Sequence, residues 1–339
     1  MSNYLFATVA QPNRAVVFAV DPYSGKLTQA HELPLEGTPY GACFDPSRKT
    51  FYAGYAADGQ HCLAIFSINP NNAAIARIGT LTLDEAPCYF SIDNTERFLL
   101  TAYYSAGMVT VHQRNPDGTI KREPHQIVAT ETFAHHIRTD PSNRFAFVPH
   151  VESTNKIYQF HFDEKSGKLI PNAVPTLDAG PGQGPRHLVY HPSLDIVYAD
   201  NEQECSVTVY KFDSSNGILD PLQTVSTLGP LENDESFSNA QIHIHPDGRS
   251  VYAANRGPDS LAMFSIDPAS GLITSLGQIP KEGTPRPFGI DPGGNFLYCG
   301  GDNTTTITAY HIDAQGALEQ RESYEIGQST GWILPLKLD

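Results

Sequence analysis

A turn-like dipeptide recurs along almost the whole chain, and its even spacing constrains the fold more than any other feature of the sequence. Successive copies begin 48, 47, 51, 54 and 46 residues apart. The copies are Asp45-Pro46, Asp93-Asn94, Asp140-Pro141, His191-Pro192, His245-Pro246 and Asp291-Pro292. Self-similarity at a period of this length indicates a repeat architecture such as a solenoid or a propeller.

The same order of segments follows each copy of the turn. A β-branched or aromatic stretch such as residues 250–253 comes first, then a polar loop, an alternating segment such as residues 206–212, and a hairpin turn such as Ser166-Gly167. Apolar residues at period 2 predict half-buried strands, and no long amphipathic helix is evident. Four strands in each repeat predict the blade of a β-propeller.

The two ends of the chain indicate that the repeats close into a ring. Residues 4–20 match the second and third strands of a unit without its first strand, and the segment from Gly331 onwards can supply the missing one. We therefore predict an all-β, seven-bladed β-propeller with four-stranded blades, closed by pairing of the C-terminal strand with N-terminal strands. Residues 1–339 then form a single domain. Two β-sandwich domains are the alternative, but they do not explain the even period.

The composition narrows the class of protein. The chain has 22 Lys+Arg against 37 Asp+Glu, a formal net charge of −15, which argues against nucleic acid as a partner. No apolar run approaches the ~20 residues that span a membrane, and the N-terminus does not resemble a secretory signal. Five cysteines without a CxxC pair favour reduced thiols and a cytoplasmic location. The oligomeric state stays open.

Alignment of the units brings distant polar residues to one mouth of the central channel. The innermost strand of each blade is predicted to start six positions before the turn, and the loop after the second strand returns to the same mouth. We expect this rim to carry five residues from four units: His135, Arg186, Glu202, Arg256 and Arg286. Guanidinium groups bind carboxylates and phosphates through a bidentate fork, and a Glu and a His beside them can relay protons or activate water.

The remaining histidines predict no metal site, and no cofactor is expected. His245 occupies a position that Asp fills in other turns, so we interpret it as a turn residue. His243, His187 and His191 are interpreted as structural in the same way, and no Cys/His spacing indicates zinc. We expect His136 to point to the opposite face of its strand from His135.

The residues of the predicted rim also resemble those of the seven-bladed propeller lactonases. The resemblance extends from Tyr4 to the closing strand and is carried by the following segments: Gly184-Pro185-Arg186-His187, Asn201-Glu202, residues 242–249, Asn255-Arg256 and Pro285-Arg286. That family includes 6-phosphogluconolactonase and 3-carboxy-cis,cis-muconate cyclase. The resemblance implies a cytoplasmic enzyme that opens or closes a small anionic lactone, or acts on a carboxylate, without a metal.

The resemblance implies roles for single residues. The residues that match the family's catalytic groups are His135, Arg186, Glu202 and Arg256. Arg286 matches a further family arginine, and we assign it to substrate binding together with Asn201. Glu204 is an alternative to Glu202 for the acidic role. Because His135 is followed by a second histidine, His136, the alignment with the family's catalytic histidine is open at that point.

Three functions are open at the level of the sequence. The leading hypothesis is hydrolysis of 6-phosphogluconolactone or a related sugar lactone, with Glu202 or His135 as the general base and the arginines stabilising the oxyanion. The second is a muconate-type cycloisomerase that closes a lactone. The third is a propeller that serves as a non-catalytic binding platform, because one fold hosts many functions.

Overall fold

The protein is described by a computed structural model that covers residues 2–281 and 283–338. Seven antiparallel four-stranded sheets form the blades of a ring, which confirms the predicted seven-bladed propeller and excludes two β-sandwich domains. The predicted domain range also includes Met1, Glu282 and Asp339, which lie outside the described residues. Within the described ranges, no helix is long and apolar enough to cross a membrane.

The strands follow one another through the blades in chain order. The N-terminus supplies β1 (Ser2–Gln11), β2 (Asn13–Val20) and β3 (Leu27–Pro34) to the first blade. The second and third blades contain β4 (Thr38–Phe44), β5 (Thr50–Ala57), β6 (Gln60–Ile68), β7 (Ile75–Leu83), β8 (Tyr89–Ile92), β9 (Phe98–Tyr103), β10 (Met108–Arg114) and β11 (Ile120–Ala129). The fourth and fifth contain β12 (Arg138–Thr139), β13 (Phe145–His150), β14 (Lys156–Asp163), β15 (Lys168–Asp178), β16 (Pro185–Tyr190), β17 (Ile196–Asn201), β18 (Ser206–Asp213) and β19 (Ile218–Ser226). The sixth and seventh contain β20 (Ser238–Ile244), β21 (Ser250–Arg256), β22 (Ser260–Ile266), β23 (Ile273–Pro280), β24 (Pro285–Ile290), β25 (Phe296–Gly301), β26 (Thr306–Ile312) and β27 (Leu318–Glu325), and the chain ends with β28 (Gln328–Leu338).

The ring closes as the sequence predicts. Strand β28 pairs antiparallel with β1, from Ser2 opposite Leu338 to Gln11 opposite Gln328, and completes the first blade in the order β28-β1-β2-β3. It also contacts β4 and β24, the first strands of the blades on either side. Both chain ends are therefore held in a single sheet, and the first blade has four paired strands like the other six.

Burial differs between the inner and outer strands of a blade. The alternation in residues 206–212 predicts one exposed face, but β18 is buried at most of its positions. The reason is that the neighbouring blades cover both faces of the inner strands. Thr208 is accommodated there because its hydroxyl accepts a hydrogen bond from Asn201 at 2.8 Å. Outer strands such as β11 do alternate between partly buried and exposed residues.

The repeated dipeptides form turns that are structural, and we name the end of the channel where they lie the turn mouth. The Asp45 carboxylate accepts the backbone N–H groups of Lys49 at 2.8 Å and Thr50 at 3.0 Å. In the equivalent turn, the His191 imidazole accepts the N–H groups of Ser193 and Leu194 at 3.1 and 3.0 Å. A carboxylate in one blade and an imidazole in another thus accept hydrogen bonds from the backbone N–H groups of equivalent turns.

Tyrosine hydroxyls link successive blades at the turn mouth. In four blades the second strand carries a tyrosine that donates to the carbonyl oxygen of a hairpin glycine in the next blade. These pairs are Tyr52–Gly118, Tyr198–Gly271, Tyr252–Gly316 and Tyr298–Gly25, at 2.7 to 2.9 Å. The glycines have positive φ, a conformation that costs a residue with a Cβ atom more than it costs glycine. The last pair joins the seventh blade to the first.

Candidate active site

The first strands of several blades begin with an irregular register at the end opposite the turns. In the fifth blade, Pro185 pairs with Asn201 and Leu188 with Ala199, so that Arg186 and His187 face the single residue Asp200. Two residues opposite one define a β-bulge, which redirects side chains and is common beside active sites. Comparable register shifts interrupt β4, β20 and β24.

Glu202 joins two of the predicted arginines, and we name this end of the channel the arginine mouth, defined by Arg186, Arg256 and Arg286. The Arg186 Nε atom donates to Glu202 Oε2 at 3.1 Å, and Arg256 Nη2 donates to Glu202 Oε1. Arg256 Nη2 also donates to the Asn239 carbonyl oxygen at 2.8 Å. Residues 70 positions apart in sequence therefore share one carboxylate, because the ring brings the fifth and sixth blades together.

His135 lies within the electrostatic field of the same arginines. Burial and the Arg186 charge lower the pKa of His135 well below its usual range, and Arg286 and Arg256 act in the same direction. Its Nδ1 atom is buried without a hydrogen-bond partner in the structure. His135 is therefore a neutral imidazole at neutral pH.

Arg286 occupies a more open position on the rim. Its guanidinium lies 3.4 Å from the Asp302 carboxylate, and both side chains are about one-third exposed, at 30% and 33%. Arg186 is by contrast only 3% exposed. The exposed ion pair contributes little to stability, so Arg286 can exchange Asp302 for an anionic ligand at small cost.

Asn201 is not part of the rim, although the sequence predicted that it contacts substrate. Its side chain is fully buried, and its amide nitrogen donates to Ser206 Oγ at 2.7 Å and Thr208 Oγ1 at 2.8 Å. Asn255, before Arg256, donates in the same way to Ser260 Oγ at 3.0 Å. In both blades the asparagine anchors the end of the second strand inside the blade, and the next residue extends into the arginine mouth.

Glu204 does not take the place of Glu202. Its carboxylate accepts the Ser206 hydroxyl at 2.7 Å, whereas both carboxylate oxygens of Glu202 are held by arginines. Of the two candidates for the acidic role, Glu202 is the one that the fold brings to Arg186 and Arg256.

Below the arginines lies a layer of rings that the sequence analysis missed. The rings of His135 and His187 are centred 5.2 Å apart, those of His136 and His187 5.3 Å, and those of Tyr89 and His136 4.2 Å. Regular strand begins only at Arg138, and that His135 and His136 point to opposite faces stays a prediction. His187 is not a turn residue but follows Arg186 in the bulge. Its position directly after Arg186 in the aligned repeats could have indicated that it lies near the arginine mouth.

A buried carboxyl group supports the bulge. Asp200 is fully buried, and its Oδ1 atom accepts the His187 N–H at 2.8 Å. Its Oδ2 atom has no partner in the structure. Burial raises the pKa of Asp200 to about 6, although the charge of Arg186 opposes that shift. Asp200 thus holds the backbone that places Arg186 and His187.

A groove with acidic walls leads outward from the arginine mouth. It has a volume of about 530 Å³, and Glu202 and Arg256 lie at its inner end. Glu152, Asp234 and Glu235 line its sides. Carboxylates accept hydrogen bonds from hydroxyl groups, so the mouth combines cationic groups in its interior with acceptors around them.

The described residues include no group of three or more His, Cys, Asp or Glu side chains arranged to hold a metal ion. The acid–base and cationic groups of the arginine mouth belong to the protein itself.

Comparison with known proteins gives a consistent result. The family described as "Lactonase, 7-bladed beta-propeller" matches residues 5–335. A 6-phosphogluconolactonase of Pectobacterium carotovorum is 30% identical over 317 residues, which cover 93% of each chain. A 6-phosphogluconolactonase of Cronobacter sakazakii is 28% identical over 335 residues, 98% of each chain.

Solved structures agree with the fold. A putative 6-phosphogluconolactonase from Bacteroides fragilis superimposes with a TM-score of 0.89 at 21% identity, over 99% of this chain and 98% of that one. A periplasmic gluconolactonase of Pseudomonas aeruginosa gives a TM-score of 0.86 at 23% identity, over 100% and 99%. At these sequence identities, the structural similarity supports a shared fold and nothing further.

Proposed function

The chain belongs to the seven-bladed β-propeller lactonase family, and we propose that it hydrolyses the lactone of a phosphorylated sugar acid at the arginine mouth. The observation that carries the proposal is the shared carboxylate of Glu202, which holds Arg186 and Arg256 side by side near His135. The first candidate substrate is 6-phosphogluconolactone, because relatives that match more than nine-tenths of the chain bear the name 6-phosphogluconolactonase.

In the proposed reaction, the arginines stabilise the charge that develops on the lactone carbonyl. Water adds to the carbonyl carbon, and the carbonyl oxygen becomes an oxyanion that accepts hydrogen bonds from Arg186 and Arg256. Donors held in place before the reaction stabilise such a charge at little reorganisation cost. Glu202 acts as a positioning residue here, because it fixes both guanidinium groups.

We assign the general base to His135. A base must be unprotonated before it can accept a proton, and His135 meets this condition because burial and the nearby arginines keep its pKa well below the usual range. The low pKa makes His135 a weak base. An anionic substrate neutralises part of the arginine charge, and the pKa of His135 then rises. The water proton passes to the His135 imidazole, the ring C–O bond breaks, and the imidazolium returns the proton to the leaving alkoxide.

Glu202 is less suited to serve as the base. Both of its carboxylate oxygens accept charged hydrogen bonds from arginine, which stabilise the ionised form. Removing a proton from water with this carboxylate would break at least one ion pair. The choice that the sequence left open thus favours His135.

The surroundings of the arginines suit a phosphorylated sugar. Arg286, which is 30% exposed, can exchange its weak ion pair with Asp302 for one with a phosphate group. The carboxylates of Glu152, Asp234 and Glu235 line the groove beside Glu202 and accept hydrogen bonds from sugar hydroxyls. A muconate has no such hydroxyl groups, so this groove favours a sugar lactone over a muconate.

The test is a comparison of substrates with the wild-type protein. We expect 6-phosphogluconolactone to be opened well above its spontaneous rate, and its kcat/KM to exceed that of unphosphorylated gluconolactone. An Arg286→Gln variant should lose most of this preference for the phosphate, with a larger change in KM than in kcat. Faster cyclisation of a cis,cis-muconate than hydrolysis of either lactone would overturn the proposal.

We also propose the cytoplasm as the compartment. All five cysteines are free thiols in the structure, as expected for a protein kept in a reducing environment. Fractionation of the native cells, with detection of the chain in the soluble cytoplasmic fraction, tests this assignment. Recovery from an extracytoplasmic fraction would contradict it.

A further inference from the structure

The turn-side half of the central channel contains a second cavity, separate from the arginine mouth. Its volume is about 390 Å³, within the lower range of small-molecule sites. His136, His187, Tyr89 and Trp332 line its inner end and separate it from Glu202. None of the lining residues is an Asp or Glu, although the chain has 37 acidic residues.

Two arginines line this cavity without an ion-pair partner among the described residues. Arg48 and Arg138 are both exposed, and neither guanidinium forms an ion pair or hydrogen bond with another described residue; Arg48 only covers the Phe44 ring, at 5.3 Å. Although the Arg48 side chain reaches solvent, desolvation by the surrounding residues and the charge of Arg138 lower its pKa, so the two charges act on each other. Like charges that repel one another destabilise the compact state, and a bound anion would offset this repulsion.

The nearby carboxylates are already occupied. Asp45 is held by the Arg114 guanidinium at 2.6 Å, besides the N–H groups of its own turn. Asp140 accepts the hydroxyl of Ser142 at 2.5 Å and the N–H of Arg144 at 2.8 Å. Neither carboxylate bridges Arg48 and Arg138 in the way that Glu202 bridges the arginines of the other mouth.

Two buried polar groups deeper in the cavity lack partners, which is an independent sign of a ligand. Gln241 is 3% exposed, and its oxygen lies 3.2 Å from His243 Nε2, but its amide nitrogen has no partner. His136 is also 3% exposed, with an unpartnered Nδ1 atom. Both residues line the cavity, and buried polar groups are normally hydrogen-bonded.

We propose that the turn-side cavity binds a small phosphate-bearing anion, either free phosphate or a phosphate monoester, between Arg48 and Arg138. Two guanidinium groups offer the paired N–H donors that match phosphate oxygens. The Gln241 amide supplies a further donor on the inner side. Since His187 lines the cavity and also packs against His135, an occupant lies one side chain away from the proposed base.

Binding can be measured with inorganic phosphate at constant ionic strength. Isothermal titration gives the affinity, and the fluorescence of Trp332, the only tryptophan of the chain, reports on the inner end of the cavity. We expect saturable binding by the wild type. Arg48→Gln and Arg138→Gln should each weaken it by about tenfold or more, the usual loss for a charged hydrogen bond.

Two control variants separate this site from other effects of charge. Arg122→Gln removes the same charge from the exposed outer strand β11 and should leave the affinity unchanged. Arg286→Gln alters the arginine mouth and should leave the Arg138-dependent binding intact. The proposal is overturned if the wild type shows no saturable binding, or if Arg138→Gln binds phosphate as tightly as the wild type does.

The nature of the ligand follows from a second titration with glycerol 3-phosphate. Tighter binding of this ester than of inorganic phosphate, again lost in Arg138→Gln, identifies a phosphate monoester as the ligand. Equal or weaker binding with the same arginine dependence identifies free phosphate. Binding of the ester that is unaffected by Arg138→Gln contradicts the assignment of the site.

Discussion

The two mouths of the channel are built from the same strands but differ in regularity. At the turn mouth, equivalent residues repeat from blade to blade, and a carboxylate or imidazole caps each turn. At the arginine mouth, bulges interrupt the first strands, and equivalent positions hold different side chains, such as Arg186, Ala240 and Arg286. The repeat therefore stabilises the ring at one end, while departures from it provide the chemistry at the other.

The side-chain interactions at the two mouths differ in the same way. Ion pairs at the arginine mouth converge on one carboxylate, whereas the hydroxyls at the turn mouth join neighbouring blades one pair at a time. Substitutions at the arginine mouth should therefore change activity more than stability. Substitutions at the turn mouth should do the reverse.

The largest expected effect concerns the two adjacent histidines. We expect His135→Gln to lower kcat about 10²–10⁴-fold, the usual contribution of a general base, with little change in the free energy of unfolding. His136→Gln is the matched neighbour, and we expect it to lower kcat by less than about tenfold, because His136 lines the turn-side cavity rather than the arginine mouth. Initial rates with the candidate lactone, corrected for spontaneous opening, measure both. Equal losses in the two variants would show that the assignment of the base is incorrect.

The stabilising role of the turn mouth can be tested by substituting two glycines of similar backbone conformation. Gly25 and Gly229 have φ of 71° and 61°, but a Cβ atom at Gly25 would lie 2.4 Å from the buried Phe296 ring, whereas Gly229 has open space. We expect Gly25→Ala to lower the free energy of unfolding by about 3 kcal/mol or more, from backbone strain and overpacking.

The matched substitution isolates the packing contribution. Gly229→Ala should cost only the backbone strain, about 1–2 kcal/mol. Urea unfolding followed by circular dichroism provides both values. If the two variants are equally stable, the hairpin glycines do not fix the contact between the seventh and first blades.

A smaller effect is expected from Asp200, the carboxyl group that supports the bulge. Its pKa is raised from 3.8 to about 6 in the folded protein, so folding binds a proton between these values and wild-type stability falls as the pH rises through them. We expect Asp200→Asn to remove this loss. Relative to the wild type, the variant should therefore gain about 2–3 kcal/mol between pH 4 and pH 7. Urea unfolding at several pH values measures the difference, and a difference that does not vary with pH would exclude a raised pKa.

The sequence predicted most of the architecture because the repeat is local information. The even period gives the number of blades, and the unmatched ends at Tyr4 and Gly331 give the closure. From these two facts the convergence of Arg186, Glu202 and Arg256 follows, although they are far apart in the chain.

The errors arise where the backbone departs from the repeat. The opposite facing of His135 and His136 was predicted from strand alternation and stays a prediction, because regular strand begins only at Arg138. Asn201 was placed in the mouth with its neighbour Glu202, yet the two side chains lie on opposite sides of the strand end. The cavity at Arg48 and Arg138 could not be predicted, because it depends on how seven strands pack around the channel axis.

The central claim is that the arginine mouth is the site of lactone hydrolysis, and one kinetic comparison tests it most directly. The measurement is kcat/KM for 6-phosphogluconolactone in Arg186→Gln and in Arg122→Gln, which remove the same charge from the mouth and from the outer strand β11. We expect a loss of about 10²–10³-fold for Arg186→Gln, as for removal of an oxyanion donor, and no change for Arg122→Gln. A correctly folded Arg186→Gln protein with undiminished activity would contradict the claim.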